Sequence, residues 1–240
     1  MKTFIAPLAV MLLAGIAPLA QANMQITYEV DGGAPVTCIG TDVVTCANDT
    51  GLVTGLRITG LSGNSNLTGE PSLALAAGSN TILSSVDGAQ HTIHIDVVAT
   101  GFIIPLAPPS LEFNSSVGGS VAVSSASNSL SFRSCVDTSG SLNGCPGTPG
   151  VAPFLSATLT PAVTSIGAYA ATAPTQLITA LLTGYALDEQ LDVVVGANGR
   201  LGFSGTTTLT PVPEPMSIAL LGGVVLLTSR LIRRKRSEVS

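Results

Sequence analysis

A chain of 240 residues is long enough for one ordinary domain with targeting segments attached, and a sheet sandwich of that length need not be divided. Charged residues make up 10% of the chain and hydrophobic residues 45%, while Ser and Thr fill 51 positions; this excludes both a disordered chain and a charge-rich helical one. From Asn23 to Val212 twelve acidic residues face only Arg57, Arg133 and Arg200, with no lysine, which argues against binding nucleic acid or an anionic membrane surface through this region.

Residues 1–22 carry one basic residue, Lys2, then an apolar run from Phe4 to Leu19, then Ala20-Gln21-Ala22. This three-part pattern reads as a secretory signal peptide cleaved after Ala22. A permanent anchor needs about 20 apolar residues, and this run is shorter and broken by Pro7 and Pro18.

Residues 23–209 read as one extracellular domain of strands and turns. Met24, Ile26, Tyr28 and Val30 alternate with Gln25, Thr27 and Glu29, so one face of this strand is buried, and Asp31-Gly32-Gly33 supplies a turn. Further strands are expected at 52–59, 80–86, 91–98, 119–124, 129–135, 154–160, 177–183, 190–195 and 200–209. Asp87-Gly88 and Asn198-Gly199 fit two-residue type I′ hairpin turns. Thr175–Leu187 is the one stretch that competes as a helix. About ten strands without crossover helices give an all-β fold, an antiparallel β-sandwich for which a jelly roll is one available form.

Four cysteines fall in two pairs, Cys38 with Cys46 and Cys135 with Cys145, each bracketing a short polar loop. In an exported chain these are expected to form two local disulfides, each contributing roughly 2.5–3 kcal/mol by chain entropy. Neither pair has the two-to-four-residue spacing of a zinc site. His91 and His94 stand three apart in a strand, hence on opposite faces, so they cannot chelate one ion, whereas His94 and Asp96 share a face. No nucleophile motif completes a triad around that pair. Asp188, Glu189 and Asp192 form the densest acidic group, and Asp137-Thr138-Ser139-Gly140 offers hard oxygen ligands; both are read as solvated turns rather than calcium sites, since no twelfth-position glutamate follows Asp137. No catalytic residue, metal or cofactor is therefore assigned. A secreted hydrolase would need a convergent His, Asp and Glu cluster. A carbohydrate-binding module normally needs an aromatic platform, and the chain has no Trp, three Tyr and six Phe.

Residues 210–215 hold three prolines, which fix φ and remove donors, so they form a semi-rigid stalk. Residues 216–232 follow as a transmembrane helix of marginal length, uncharged from Met216 to Ser229 and crossed early by Arg230. Residues 233–240 begin with Arg233, Arg234, Lys235 and Arg236, which place this tail in the cytoplasm and the domain outside.

Val212-Pro213-Glu214-Pro215, a short Gly-containing apolar helix and a terminal arginine cluster together resemble the PEP-CTERM sorting signal of Gram-negative bacteria. The resemblance covers about thirty residues, with Ser237–Ser240 continuing past the basic cluster as a departure from it. It implies an exported protein held first by its C-terminal helix and then displayed at the cell surface or in the extracellular matrix. It implies a processing partner, exosortase, a membrane-embedded cysteine protease or transpeptidase acting near Pro213, Glu214 and Pro215, with Arg233–Arg236 as the stop-transfer element. The family's association with exopolysaccharide and biofilm implies a structural or adhesive, non-catalytic role, with carbohydrate binding as the alternative and extracellular polysaccharide as a partner.

Overall fold

The computed structural model describes residues 23–41, 43–46, 52–66, 74–78, 81–107, 110–137, 158–179, 181 and 184–212. The expected signal peptide, the Pro-Glu-Pro stalk, the C-terminal helix, the basic tail and Cys145 lie outside them. No helix among the described residues is long and apolar enough to cross a membrane.

The strands in chain order are β1 (Met24–Val30), β2 (Val36–Gly40), β3 (Val43–Thr45), β4 (Leu52–Val53), β5 (Leu56–Thr59) and β6 (Ser62–Ser65). Then come β7 (Ala74–Gly78), β8 (Thr81–Ser85), β9 (His91–Phe102), β10 (Leu111–Val123) and β11 (Ser129–Asp137). The last five are β12 (Thr158–Leu159), β13 (Gly167–Thr172), β14 (Gln176–Ile178), β15 (Tyr185–Val195) and β16 (Arg200–Pro211). All pairings are antiparallel. The first sheet runs β12-β11-β15-β9-β1-β2. The second is built on β16, which pairs with β10 along one side and with β7 and β8 along the other; β13 and β14 border β10, and β5, β6, β3 and β4 extend the opposite side. Successive strands such as β8 and β9, β10 and β11, or β15 and β16 lie in opposite sheets, so the chain is laced through both layers.

The sheets stack because their inward residues are apolar on a two-residue period. Ile26 and Tyr28 of β1, Ile93 and Ile95 of β9, Phe132 of β11 and Leu201 of β16 are all buried in one cluster drawn from both layers. A second cluster at the other end holds Phe102, Phe113, Tyr185 and Leu209, with the Phe102 and Tyr185 rings stacked at 5.3 Å. Each fully buried side chain of this size contributes about 1.5–3 kcal/mol relative to exposure. Four buried polar groups lie on the same inward phase: Ser134 donates to Ser115 across the sandwich at 2.6 Å, with Glu189 and Thr207 buried on the inward positions of β15 and β16. Gly205 makes this possible, since a Cβ there would stand 2.6 Å from the Phe132 ring and 3.0 Å from the Glu189 carboxylate.

Several expectations are corrected. The strand expected at 177–183 is described only as the short β14 (Gln176–Ile178), and the competing helix over 175–187 gives way to β14 and the start of β15, with Tyr185 and Leu187 drawn into the second apolar cluster. The 52–59 segment is two short paired strands, folded at Thr54 and Gly55, both with positive φ. The strand expected at 119–124 is the end of a longer β10, whose first half also alternates. Asp87-Gly88 and Asn198-Gly199 turn the chain from one sheet to the other instead of closing hairpins; hairpin turns are made by Thr54-Gly55 between β4 and β5 and by Asp31-Gly32 between β1 and β2, the latter with φ of 51° and 68° and Gly33 N donating to Val30 O. Asp188, Glu189 and Asp192 are not in a solvated turn but on β15; Asp188 and Glu189 are 1% and 0% exposed, Glu189 because it shares the inward phase of Leu187, Leu191 and Val193, and Asp192 alone is exposed.

Cys38 and Cys46 form the expected disulfide, with Cα atoms 5.6 Å apart, and it covalently joins β2 of the first sheet to the residue following β3 of the second. Replacing both by Ser is expected to lower stability by about 2–3 kcal/mol, seen as a reduced urea midpoint. Peptide mapping without reductant should recover Cys38 linked to Cys46; an unchanged midpoint would show that the bond adds nothing to the fold.

Candidate functional site

The phase that turns Ile93 and Ile95 inward turns Thr92, His94 and Asp96 outward on β9, and register does the rest. Glu29 of β1 lies opposite His94, which lies opposite Asp192 of β15, itself opposite Ser131 of β11. The next row is Thr27, Asp96, Gln190 and Arg133. Polar side chains thus form two lines across four strands.

The first line floors a groove of about 640 Å³. Its wall is the segment 160–164 after β12, including Pro161 and Ala162. That segment is pinned by Val163, which is buried in the main cluster and whose carbonyl accepts from Asn128 Nδ2 at 3.2 Å, while Asn128 Oδ1 accepts from Gly196 N at 2.8 Å. The ionisable groups lining the groove are Glu29, His94 and Asp192, with hydroxyls from Thr92, Ser129, Ser131, Thr160 and Thr164; no Lys or Arg lines it among the described residues.

His94 is held at both ring nitrogens, Nδ1 to Asp192 Oδ1 at 2.7 Å and Nε2 to Asp96 Oδ2 at 3.1 Å. Burial pulls its pKa down, but the hydrogen bond to Asp192 and the nearby carboxylate charges outweigh it, so the imidazole titrates above its usual value. Burial also lifts the Asp96 carboxyl above its ordinary range, with His94 offsetting only part. The shared face of His94 and Asp96 is as expected. Because both nitrogens face carboxylates, neither is turned to a Ser or Thr hydroxyl, and the base-to-nucleophile hydrogen bond of a catalytic triad is not formed.

His91 points the other way, as expected, into the end of the sandwich, and is 3% exposed. Nδ1 meets Asp31 Oδ2 at 2.8 Å and Nε2 meets Asp87 Oδ1 at 2.9 Å. Asp31 also accepts from the Thr92 amide at 2.8 Å, and Asp87 from the Ala89 amide at 2.9 Å. Burial opposes the charge on His91, yet the hydrogen bonds to the two aspartates prevail and raise its pKa. Asp31 is held below the usual carboxylate value, hydrogen bonds from His91 and Thr92 outweighing its burial, and Asp87 is lowered chiefly by its bond from His91.

Among the described residues no cluster of His, Cys, Asp or Glu is arranged to hold a metal ion. Asp188 and Asp192 both point outward, but Glu189 points inward, so the acidic group does not converge. Cys135 is disulfide-bonded, and its expected partner Cys145 lies outside the described residues. The roles of Asp31 and Asp192 as histidine partners carry no local signal in the sequence, whereas Asp87 stands only four positions before His91. Asp192→Asn is expected to bring the His94 titration back toward 6.5 while leaving that of His91 unchanged, followed by NMR of the two imidazole rings; an unmoved His94 would show that Asp192 does not hold its charge.

No protein-family model matches the chain, and no curated protein does. One solved structure that it resembles is the carbohydrate-binding module TmCBM61 in complex with β-1,4-galactotriose, at 11% identity and a TM-score of 0.29, covering 69% of this chain and 97% of that one.

Proposed function

We propose that the chain is an exported, surface-displayed protein whose C-terminal segment is a PEP-CTERM-type sorting signal, and whose β-sandwich has a structural or adhesive role in an exopolysaccharide matrix. The observation that carries the reading furthest is the Cys38–Cys46 bond tying the edges of the two sheets, since such bonds form and persist in oxidising compartments outside the cytosol. It agrees with the end segments, which call for export at residues 1–22 and temporary anchoring at 216–232. A domain with many hydroxyls, few charges and no lysine suits a hydrated polysaccharide surrounding. The partners of this reading are an exosortase-type enzyme, the membrane through the C-terminal helix, and matrix polysaccharide.

The second reading, carbohydrate binding, draws on the groove, whose carboxylates and hydroxyls beside Pro161 and Ala162 match the needs of a polyol. Stacking is poorly served: Tyr28 and Tyr185 are buried, the Tyr169 hydroxyl is tied to Gly202 O, and no aromatic residue among the described residues lines the groove. Binding there would rest on polar contacts, so Asp192→Ala should weaken retention on a neutral polysaccharide by on the order of tenfold. Unchanged retention removes the groove from this reading.

The sorting proposal is tested with the full-length chain. Glu214→Gln should leave anchoring intact and block processing, because that residue stands outside the hydrocarbon. Replacing Arg233, Arg234, Lys235 and Arg236 by Ser should impair retention, since each cation adds about 1 kcal/mol near an anionic leaflet. If the Glu214 variant is displayed with the parent's C-terminal mass, the Pro-Glu-Pro element is only a linker.

A further inference from the structure

We propose that His91, Asp31 and Asp87 form a charge-dependent latch that clamps the two sheets at one end of the sandwich and loosens in alkaline surroundings. His91 belongs to β9 and Asp31 follows β1, both in the first sheet, whereas Asp87 follows β8 in the second. The second sheet reaches the same point through Thr54, whose hydroxyl donates to Asp31 Oδ2 at 3.3 Å, and through Val86 N, which donates to Gly55 O at 2.9 Å. Gly55 has φ of +91°, and a Cβ on it would stand 2.0 Å from Asp87 Oδ2, so only glycine lets the β4–β5 turn close against the aspartate. Three turns from two sheets therefore converge on one imidazole.

The charge state follows from counting protons. A neutral imidazole has one N–H and one lone pair, so one aspartate would then face a lone pair at under 3 Å. Both aspartates already accept from backbone amides, Asp31 from Thr92 and Asp87 from Ala89, and so act as carboxylates. The arrangement is satisfied by an imidazolium between two carboxylates. The remaining neighbours do not supply another charge: Val195 of β15 pairs with His91, Glu29 of β1 turns outward to the groove, and Arg57 and Arg200, on the strands flanking β8, form no ion pair with either aspartate.

The sign of the pH dependence is fixed by geometry and supported by the raised imidazole pKa. His91 adds stability that is complete below its ordinary value of 6.5 and is lost as pH rises through its higher folded value. The two aspartates act at the opposite limit, losing theirs as pH falls through values below 3.8. The latch is thus fully closed between these limits. It also governs the groove, because Gly32 and Thr92 line the groove and both adjoin Asp31, Thr92 through its amide. This inference stands on the domain alone and is independent of the sorting proposal.

The full-length chain in detergent provides the test. Its imidazole rings, only two in number, can be followed by NMR from about pH 5 to pH 9, with His94→Gln leaving His91 alone. The expected result is a His91 ring protonated on both nitrogens at pH 7. In the His94→Gln chain, the thermal midpoint should fall by about 2–4 °C as His91 deprotonates. Asp31→Asn combined with Asp87→Asn should lower the His91 titration and abolish that fall. If either variant does not fold, the ring signals of the parent decide alone. A single N–H on His91 at pH 6, or a midpoint in the His94→Gln chain that does not respond to His91 titration, overturns the latch.

Discussion

Burial between two sheets, on a strict two-residue period, is the constraint from which the rest of this domain follows. Ile93, Ile95 and Val97 must face the interior for the layers to stack, and that choice leaves His94 and Asp96 no alternative but the outer surface. The same holds on β1 and β15, so Glu29, His94 and Asp192 come into line without any interaction among them having selected the arrangement. A one-residue slip of β9 against β15 would bury His94 and Asp96 and expose three isoleucine and valine side chains. The groove floor is therefore as rigid as the core beneath it.

The strands with clean alternation were legible in the sequence: β1 is Met24–Val30 as expected, and β11 and β16 match within two residues at each end. Failures came where the deciding information is remote. A Gly-containing turn looks the same whether the chain folds back beside itself or arches to the other layer, and Asp87-Gly88 and Asn198-Gly199 do the latter. Glu189 looked like a surface residue because nothing in its neighbourhood shows that Gly205, sixteen positions later, clears space for it. Of the histidine contacts, His94 with Asp96 was read locally, and Asp87, four positions before His91, lay within local reach as well. Asp31 lies 60 positions from His91, and Asp192 lies 98 from His94, so topology alone brings them together.

Charge in this domain is scarce and concentrated. The only two histidines are each gripped by two aspartates, one pair closing the end of the sandwich and the other lying open on its face. The exposed cluster, with His94 and Asp192 well solvated, contributes little to stability and mainly shapes the groove. The other differs in that its imidazole is withdrawn from solvent while both of its aspartates stay partly exposed, so what loss of both partners would strand is the His91 ring alone.

The buried polar groups of β10, β11, β15 and β16 carry a further consequence. An apolar interface by itself is tolerant, since one branched side chain can replace another at little cost and two sheets can slide by a repeat. Ser115, Ser134, Glu189 and Thr207 remove that tolerance: Ser134 reaches Ser115 in only one alignment of the layers, and Glu189 has room only where Gly205 stands opposite. Any displaced stacking would press a carboxyl group against aliphatic or aromatic side chains, at a cost of several kcal/mol. These few polar atoms act as an alignment mark, selecting one sheet-on-sheet phase from several that the apolar residues alone would accept.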